Sequence, residues 1–342
     1  MLTRRNLLKG ALSCAALGIG ASGTGTLSAA WGQSVEPITI KFSHVVSADT
    51  PKGKAALHFK KLAEERTGGR VQVDVYANSQ LYKDKEELEA LQLGAVQMLA
   101  PTFSKFGPLG VREFEVFDLP YLFNDMAEAK KITQGSVGRS LLAKLDPKGV
   151  IGLTFWDNAF KHMTANTPLR LPEDYQGLKM RIQSSKVIDM QMRQLGALPQ
   201  VMAFSEVYQG LQTGVVDGQE NPSTNIYTQK FHEVQKHMSL TGHGYHGYVV
   251  IVNKPFWQRL PPDIRTQLEG AMNDASAYFT TLAAEEENQA LAGIRASGKI
   301  DVHTPTAQEA EALRTALLPV QEKMKDRYGE DILNAIHQAL GR

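Results

Sequence analysis

The chain has 342 residues, 42% of them hydrophobic and 21% charged, with 37 basic residues against 36 acidic ones. That balance excludes the basic bias of a nucleic-acid binder. A chain of this length and apolar share can bury a sizeable core, and two domains are favoured over one. The single cysteine, Cys14, lies in the N-terminal segment, so the rest of the chain offers no disulfide framework, thiol nucleophile or cysteine-based metal site.

Residues 1–34 read as an export signal. Arg4-Arg5 precede Leu7, Leu8 and Lys9, then a weakly apolar run from Ala11 to Ala30 ends in small residues near Ala29-Ala30 or Gln33. The paired arginines resemble a twin-arginine signal; an ordinary Sec signal beginning with two arginines is the alternative. Gly10, Gly18, Gly20, Gly23 and Gly25 interrupt the run, and no stretch of ~18 strongly apolar residues supports a membrane span. Apolar residues continue past Cys14, which argues against lipid attachment there. Removing Arg4, Arg5 and Lys9 leaves 34 of the 37 basic residues against 36 acidic ones, a net charge near −2. Periplasmic residence is expected.

Beyond the signal, Ile38, Ile40 and Phe42 alternate as in a half-buried strand. A helix is predicted from Lys54 to Glu65, stopped by Thr67-Gly68-Gly69. Val71, Val73 and Val75 give a second strand, and Asp84 with Glu87 form a capping-box-like start for a helix ended by Gly94. Ala95 to Ala100 reads as a buried parallel strand. The unit is β-α-β-α-β.

The same grammar returns about 120 residues later: strand 178–182, helix 186–195, strand 198–202, a helix capped by Ser205 and ended by Gly214, and strand 215–219. Leu91-Gln92-Leu93-Gly94-Ala95-Val96-Gln97 parallels Leu211-Gln212-Thr213-Gly214-Val215-Val216-Asp217. Helix-Gly-strand junctions often look alike, but the parallel also fits two α/β units facing across a cleft, with ligand beyond the carboxyl ends of their strands. A helix over 221–236 and a strand over 246–253 follow. After Pro261-Pro262, the apolar series Ile264, Leu268, Met272, Ala275, Phe279 and Leu282 meets no proline before Gly298. One helix of about 36 residues, or ~54 Å, is predicted, long enough to brace both lobes. Thr306 and Glu309 form a capping box, and residues 330–340 read as a terminal helix.

The expected fold is therefore α/β, a two-lobed periplasmic-binding-protein arrangement spanned by one long helix. Residues 35–158 with 247–286 make lobe one, and 159–246 with 287–342 make lobe two. At Phe42-Ser43-His44-Val45-Val46, Asp49-Thr50-Pro51-Lys52-Gly53, Asn78-Ser79-Gln80-Leu81, Phe117-Asp118-Leu119-Pro120-Tyr121-Leu122-Phe123, Gly177-Leu178-Lys179-Met180-Arg181 and Asp217-Gly218-Gln219-Glu220-Asn221-Pro222, the sequence resembles the DctP-type solute receptors of TRAP transporters. The resemblance implies a monomeric receptor that binds an organic acid, most often a C4-dicarboxylate. It would hand that acid to sodium-driven membrane permease subunits, with no cofactor and no nucleic acid involved.

Arg181, at the end of a predicted strand, is the first candidate: a guanidinium grips a carboxylate through a planar fork that a lysine lacks. The resemblance assigns Asn221 to the same carboxylate, although Asn at an N-cap before Pro222 is equally good chemistry. It also assigns Lys161 to a second, more variable anionic end, with Ala159 standing where glycine is expected. From the first lobe the candidates are His44 and Lys52 after the first strand, Lys83 or Glu86 before the second helix, and Thr102 or Ser104 after the third strand. Phe204 and Trp156 are candidate apolar walls. His243 and His246 have the spacing of a metal pair, but a site needs three or four converging ligands, so no metal is expected.

An exported hydrolase is the rival class, and it would need an activated nucleophile, an acid–base pair or a metal. The chain has no Gly-x-Ser-x-Gly, no His-Glu-x-x-His and no thiol outside the signal. A receptor reporting to a membrane kinase would share the same fold.

Overall fold

The computed structural model describes residues 36–342; the predicted signal and Cys14 lie outside them. The described residues form nine strands in one sheet: β1 (Ile38–Ser43), β2 (Val71–Tyr76), β3 (Met98–Leu99), β4 (Val150–Ala165), β5 (Lys179–Ile182), β6 (Leu198–Val201), β7 (Gly218–Asn221), β8 (His237–Asn253) and β9 (Asp301–His303). Their order is β2-β1-β3-β8-β4-β7-β5-β6, with β9 beside β8. β2-β1-β3 are parallel to one another, and so are β6-β5-β7. The two predicted units thus share one internal order. They are joined through the long antiparallel pair β4 and β8, which makes the α/β fold two-lobed.

The helices start where capping chemistry allows. α1 (Pro51–Arg66) begins three residues before the apolar spacing predicts, because the Thr50 hydroxyl accepts from Gly53 N at 3.1 Å and Pro51 supplies the first-turn φ. α2 (Glu87–Gln92) is short, and the predicted capping box is not formed, since the Asp84 carboxylate bonds elsewhere. α3 (Met126–Thr133) and α4 (Ser136–Ala143) precede β4, and Ser185 caps α5 (Lys186–Gln194). α6 (Val207–Gln212) follows a 3-10 turn and is not capped by Ser205. Gly94 and Gly214 end α2 and α6 at φ 77° and 72°, a left-handed conformation that glycine adopts without strain. The repeated junction is therefore a shared structure as well as a shared pattern. α7 (Ser223–Thr228) is far shorter than predicted. Asn221 closes β7 and does not cap it; the Glu287 carboxylate accepts from Ser223 N and Thr224 N at 2.6 and 3.0 Å.

α8 (Lys254–Arg259) leads into α9 (Pro262–Ser297), the 36-residue helix the sequence predicts. Its Ile264, Leu268, Met272, Ala275 and Phe279 pack with β1 and α1, while Ile294 joins Phe204, Val207 and Phe231 in the other half. β8 shows why its run from Tyr248 to Val252 is apolar throughout: Tyr245, Val249 and Ile251 face one core, and Tyr248, Val250 and Val252 face another. None of the described helices is long and apolar enough to cross a membrane.

Candidate functional site

The carboxyl ends of four strands converge on one cavity. Val45 and Val46 follow β1, Pro101 and Thr102 follow β3, Gln183 follows β5, and Asn221 ends β7. This is the crevice position that open α/β sheets reserve for ligands. The cavity, with the open solvent at its mouth, holds about 350 Å³ of atom-free space.

At one end stands Arg181, 1% exposed. Its Nε and Nη2 both donate to the Met202 carbonyl, at 3.0 and 2.9 Å, and Nη1 has no partner among the described residues. The bond to Met202 occupies the side edge of the guanidinium. The end edge, Nη1–H with the second Nη2–H, stays whole for a carboxylate to engage bidentately. Burial pulls the guanidinium pKa down while Asp84, Glu220 and Glu206 oppose it, and an arginine remains a cation throughout. The Phe204 ring lies 5.7 Å from the guanidinium carbon and closes one side. Asn221 holds its place by donating to Gln219 and accepting from Asn225 Nδ2 at 3.0 Å.

Four more charged groups line the cavity. Lys52, in the first turn of α1, is 1% exposed; its Nζ donates to Ala100 O at 3.0 Å and sits 3.8 Å over the Tyr248 ring. Burial lowers its pKa, with Glu87 and Asp84 opposing. Burial raises Glu87, with Lys52 and Lys105 opposing. Asp84 is ion-paired to Lys105, and its other oxygen accepts from Phe204 N at 3.1 Å. Burial would raise Asp84, but Lys105 and Arg181 beside it hold the carboxyl below its ordinary value.

Several of these contacts join the two halves of the fold. Asp84 reaches Phe204 N, the Thr102 and Ser104 hydroxyls both donate to Gln183 Oε1 at 2.7 and 2.6 Å, and Lys83 bonds Glu206 at 2.7 Å. The described conformation is closed over the cavity.

Of the residues singled out by sequence, Arg181, Asn221, Phe204, Lys52 and Thr102 line the cavity. Ser104 stands one bond behind, through Gln183. Five lie elsewhere. Lys161 falls within β4, not after a strand, and its buried ammonium is held by both Glu220 oxygens at 2.9 and 2.8 Å. His44 is buried beside Lys52 without lining the cavity; burial lowers it to about 3, and neither ring nitrogen has a partner among the described residues. Lys83 is half exposed in its pair with Glu206, and Glu86 faces solvent. Trp156 is core, stacked on Phe279 at 5.2 Å with its indole N–H donating to Ser276. His243 donates to Glu220 at 2.9 Å, and no group of three His, Cys, Asp or Glu placed to hold a metal occurs among the described residues.

Sequence reasoning missed Asp84, Glu87, Lys105, Gln183, Asn225, His246 and Tyr248, all of which line the cavity. Two carried a readable signal, because His246 and Tyr248 are two apart on one strand and share a face.

The chain is 60% identical over 304 residues to the C4-dicarboxylate-binding periplasmic protein DctP of Rhodobacter capsulatus, covering 89% of this chain and 91% of that one. Among solved structures, it is similar to a TRAP periplasmic solute binding protein from Shewanella oneidensis with bound succinate. That match has TM-score 0.86 and 42% identity, over 89% of this chain and 99% of that one. A TRAP periplasmic solute binding protein from Pseudomonas aeruginosa with bound L-malate matches with TM-score 0.82 and 40% identity, over 84% and 100%. The family model for bacterial extracellular solute-binding proteins, family 7, matches residues 42–327, and the chain belongs to that DctP family.

Proposed function

We propose that the protein captures a C4-dicarboxylate such as succinate or malate in the periplasm and delivers it to the membrane permease subunits of a TRAP transporter, without chemical change. The observation that carries this reading is Arg181, buried on the cavity lining with Nη1 left without a partner among the described residues. A buried cation without a counter-charge is expensive, and an anionic guest offsets that cost. The ligands named for the two similar structures are both C4-dicarboxylates, and Lys52 in the same lining offers a second cation for the far carboxylate.

In the mechanism, the open form binds one carboxylate at Arg181. The first lobe then closes, the Asp84–Phe204 and Thr102/Ser104–Gln183 bonds form, and water is expelled. Each charge-assisted bond, worth about 1.5–3 kcal/mol, strengthens as the local dielectric falls. The permease would recognise this closed shape. We place the lobe boundaries at 35–158 with 247–286 and 159–246 with 287–342, and assign export to the twin-arginine route.

The test is calorimetric titration of the purified protein with succinate, malate, fumarate, galactonate and a simple monocarboxylate, with product analysis of each mixture. The expected result is one-to-one binding of the C4-dicarboxylates, tighter than the others, with no product. Tighter binding of the sugar acid would overturn the ligand assignment, and turnover would overturn the receptor reading.

A further inference from the structure

The charges around the cavity can be counted. Lys105 and Asp84 cancel as an ion pair, as do Lys161 with Glu220 behind the wall and Lys83 with Glu206 at the rim. His246 on β8, like His44 after β1, is neutral, lowered by burial to about 3. Burial pushes the Tyr248 phenol up and keeps it uncharged. What remains is Arg181, Lys52 and Glu87. Glu87 lies 2% exposed on the cavity wall. The charged groups that face it are Lys52 from α1, Lys105 after β3, and Asp84 in the turn before its own helix.

With Glu87 ionised, the cavity therefore presents one net positive charge; with Glu87 protonated, it presents two. In a closed, poorly hydrated cavity, an uncompensated charge is costly, so the guest's charge has to match the host's. A monocarboxylate matches the ionised state, and a dicarboxylate dianion matches the protonated one. We propose that Glu87 is a specificity-determining residue that takes up a proton as a dicarboxylate dianion enters, an inference that rests on the dicarboxylate reading above. The ligand's far carboxylate then meets Lys52 without a competing anion and accepts a hydrogen bond from the Glu87 carboxylic acid.

Burial raises Glu87 to about 7, against the pull of Lys52 and Lys105, so the proton is held at little cost near neutrality. The sign follows by linkage. Above that pKa, the free protein has lost the proton that the dianion complex needs, so succinate affinity falls with rising pH, by up to about tenfold per unit. A monocarboxylate makes no such demand. Lys52 deprotonates in the same direction, so the pH profile alone does not separate the two groups. The carboxyl itself has to be read.

The experiment is an infrared difference spectrum of the protein with and without saturating carbon-13-labelled succinate at about pH 8, where the label moves the ligand's own bands aside. Wild type should gain the C=O band of a protonated carboxyl, whereas E87Q should bind succinate at least as tightly and show no such band. Succinate bound by wild type without that band, or the same band in E87Q, would overturn the proposal and leave the dicarboxylate reading standing. If a thermal-shift control finds no succinate binding by wild type, both fall together.

Discussion

The two ends of the cavity solve the same problem by different means. The Arg181 end is fixed: the cation is buried, its side edge is tied to the Met202 carbonyl, its pKa is out of reach, and one edge is left free. The Lys52 end is balanced: two lysines and two carboxylates share a small wall, with burial lowering Lys52 and raising Glu87. A fixed end supplies affinity for any carboxylate, while a balanced end responds to what the guest brings. On the proposed reading, selectivity lies with the first-lobe wall, and Arg181 alone says only that the ligand is an acid.

The largest expected effect comes from removing the fixed end. Arg181→Ala should weaken succinate binding at least about thirtyfold, since truncating one partner of a buried charge pair costs about 2–5 kcal/mol. Arg181→Lys keeps the charge without the fork and should fall between. Titration calorimetry reads both, with a thermal melt to show that the fold persists. Lys161→Met separates the ligand site from the network behind it. It leaves Glu220, held at about 2 by Lys161 and His243 against its burial, with one cation partner fewer. It should cost about 3–5 kcal/mol in urea-induced unfolding yet change succinate affinity only a few-fold; a loss as large as that of Arg181→Ala would make Lys161 a ligand group.

Acid should act on stability through the buried histidines. His44 and His246 each sit near 3 in the fold, below the ~6.5 of an unfolded histidine. As pH falls through that interval, the unfolded chain binds more protons than the native one, so stability declines. The urea midpoint should drop steadily between about pH 6 and pH 4, and replacing His44 by Gln should flatten the slope. Asp84→Asn, which breaks the pair with Lys105 while keeping an acceptor for Phe204 N, should weaken binding about tenfold through a less stable closed state. The smallest effect belongs to the rim, where Lys83→Ala should shift affinity by no more than a few-fold because exposed pairs are screened.

Much of the fold was legible in the sequence because its signals are local. The 36-residue spacing of α9, the Thr306–Glu309 box and the two glycine-ended junctions at Gly94 and Gly214 each appear where predicted. β4 was not legible. Its pairing with β8 slips between Gly152 and Thr154, Asp157 and Ala159, and Lys161 and Met163, and each slip breaks the alternation by which a face is read. Trp156 and Lys161 were misplaced for that reason. Lys52 and Thr102 were found on the first-lobe wall, but its acidic stretch was missed by one residue. Lys83 and Glu86 were chosen as lying before the second helix; residues 84–86 form a turn, and α2 begins at Glu87. The turn presents Asp84 and Glu87 inward and Lys83 and Glu86 outward. Gln183 and Asn225 are lone amides whose role depends on contacts across the cleft and between strands, which no local pattern encodes.

The most direct measurement is a crystal structure of the protein grown with succinate. The account predicts one carboxylate bidentate on Arg181 Nη1 and Nη2, with the Met202 bonds intact, and the other beside Lys52 and Glu87 in the closed cavity. Succinate bound away from Arg181, or with its far carboxylate on Lys161, would contradict it.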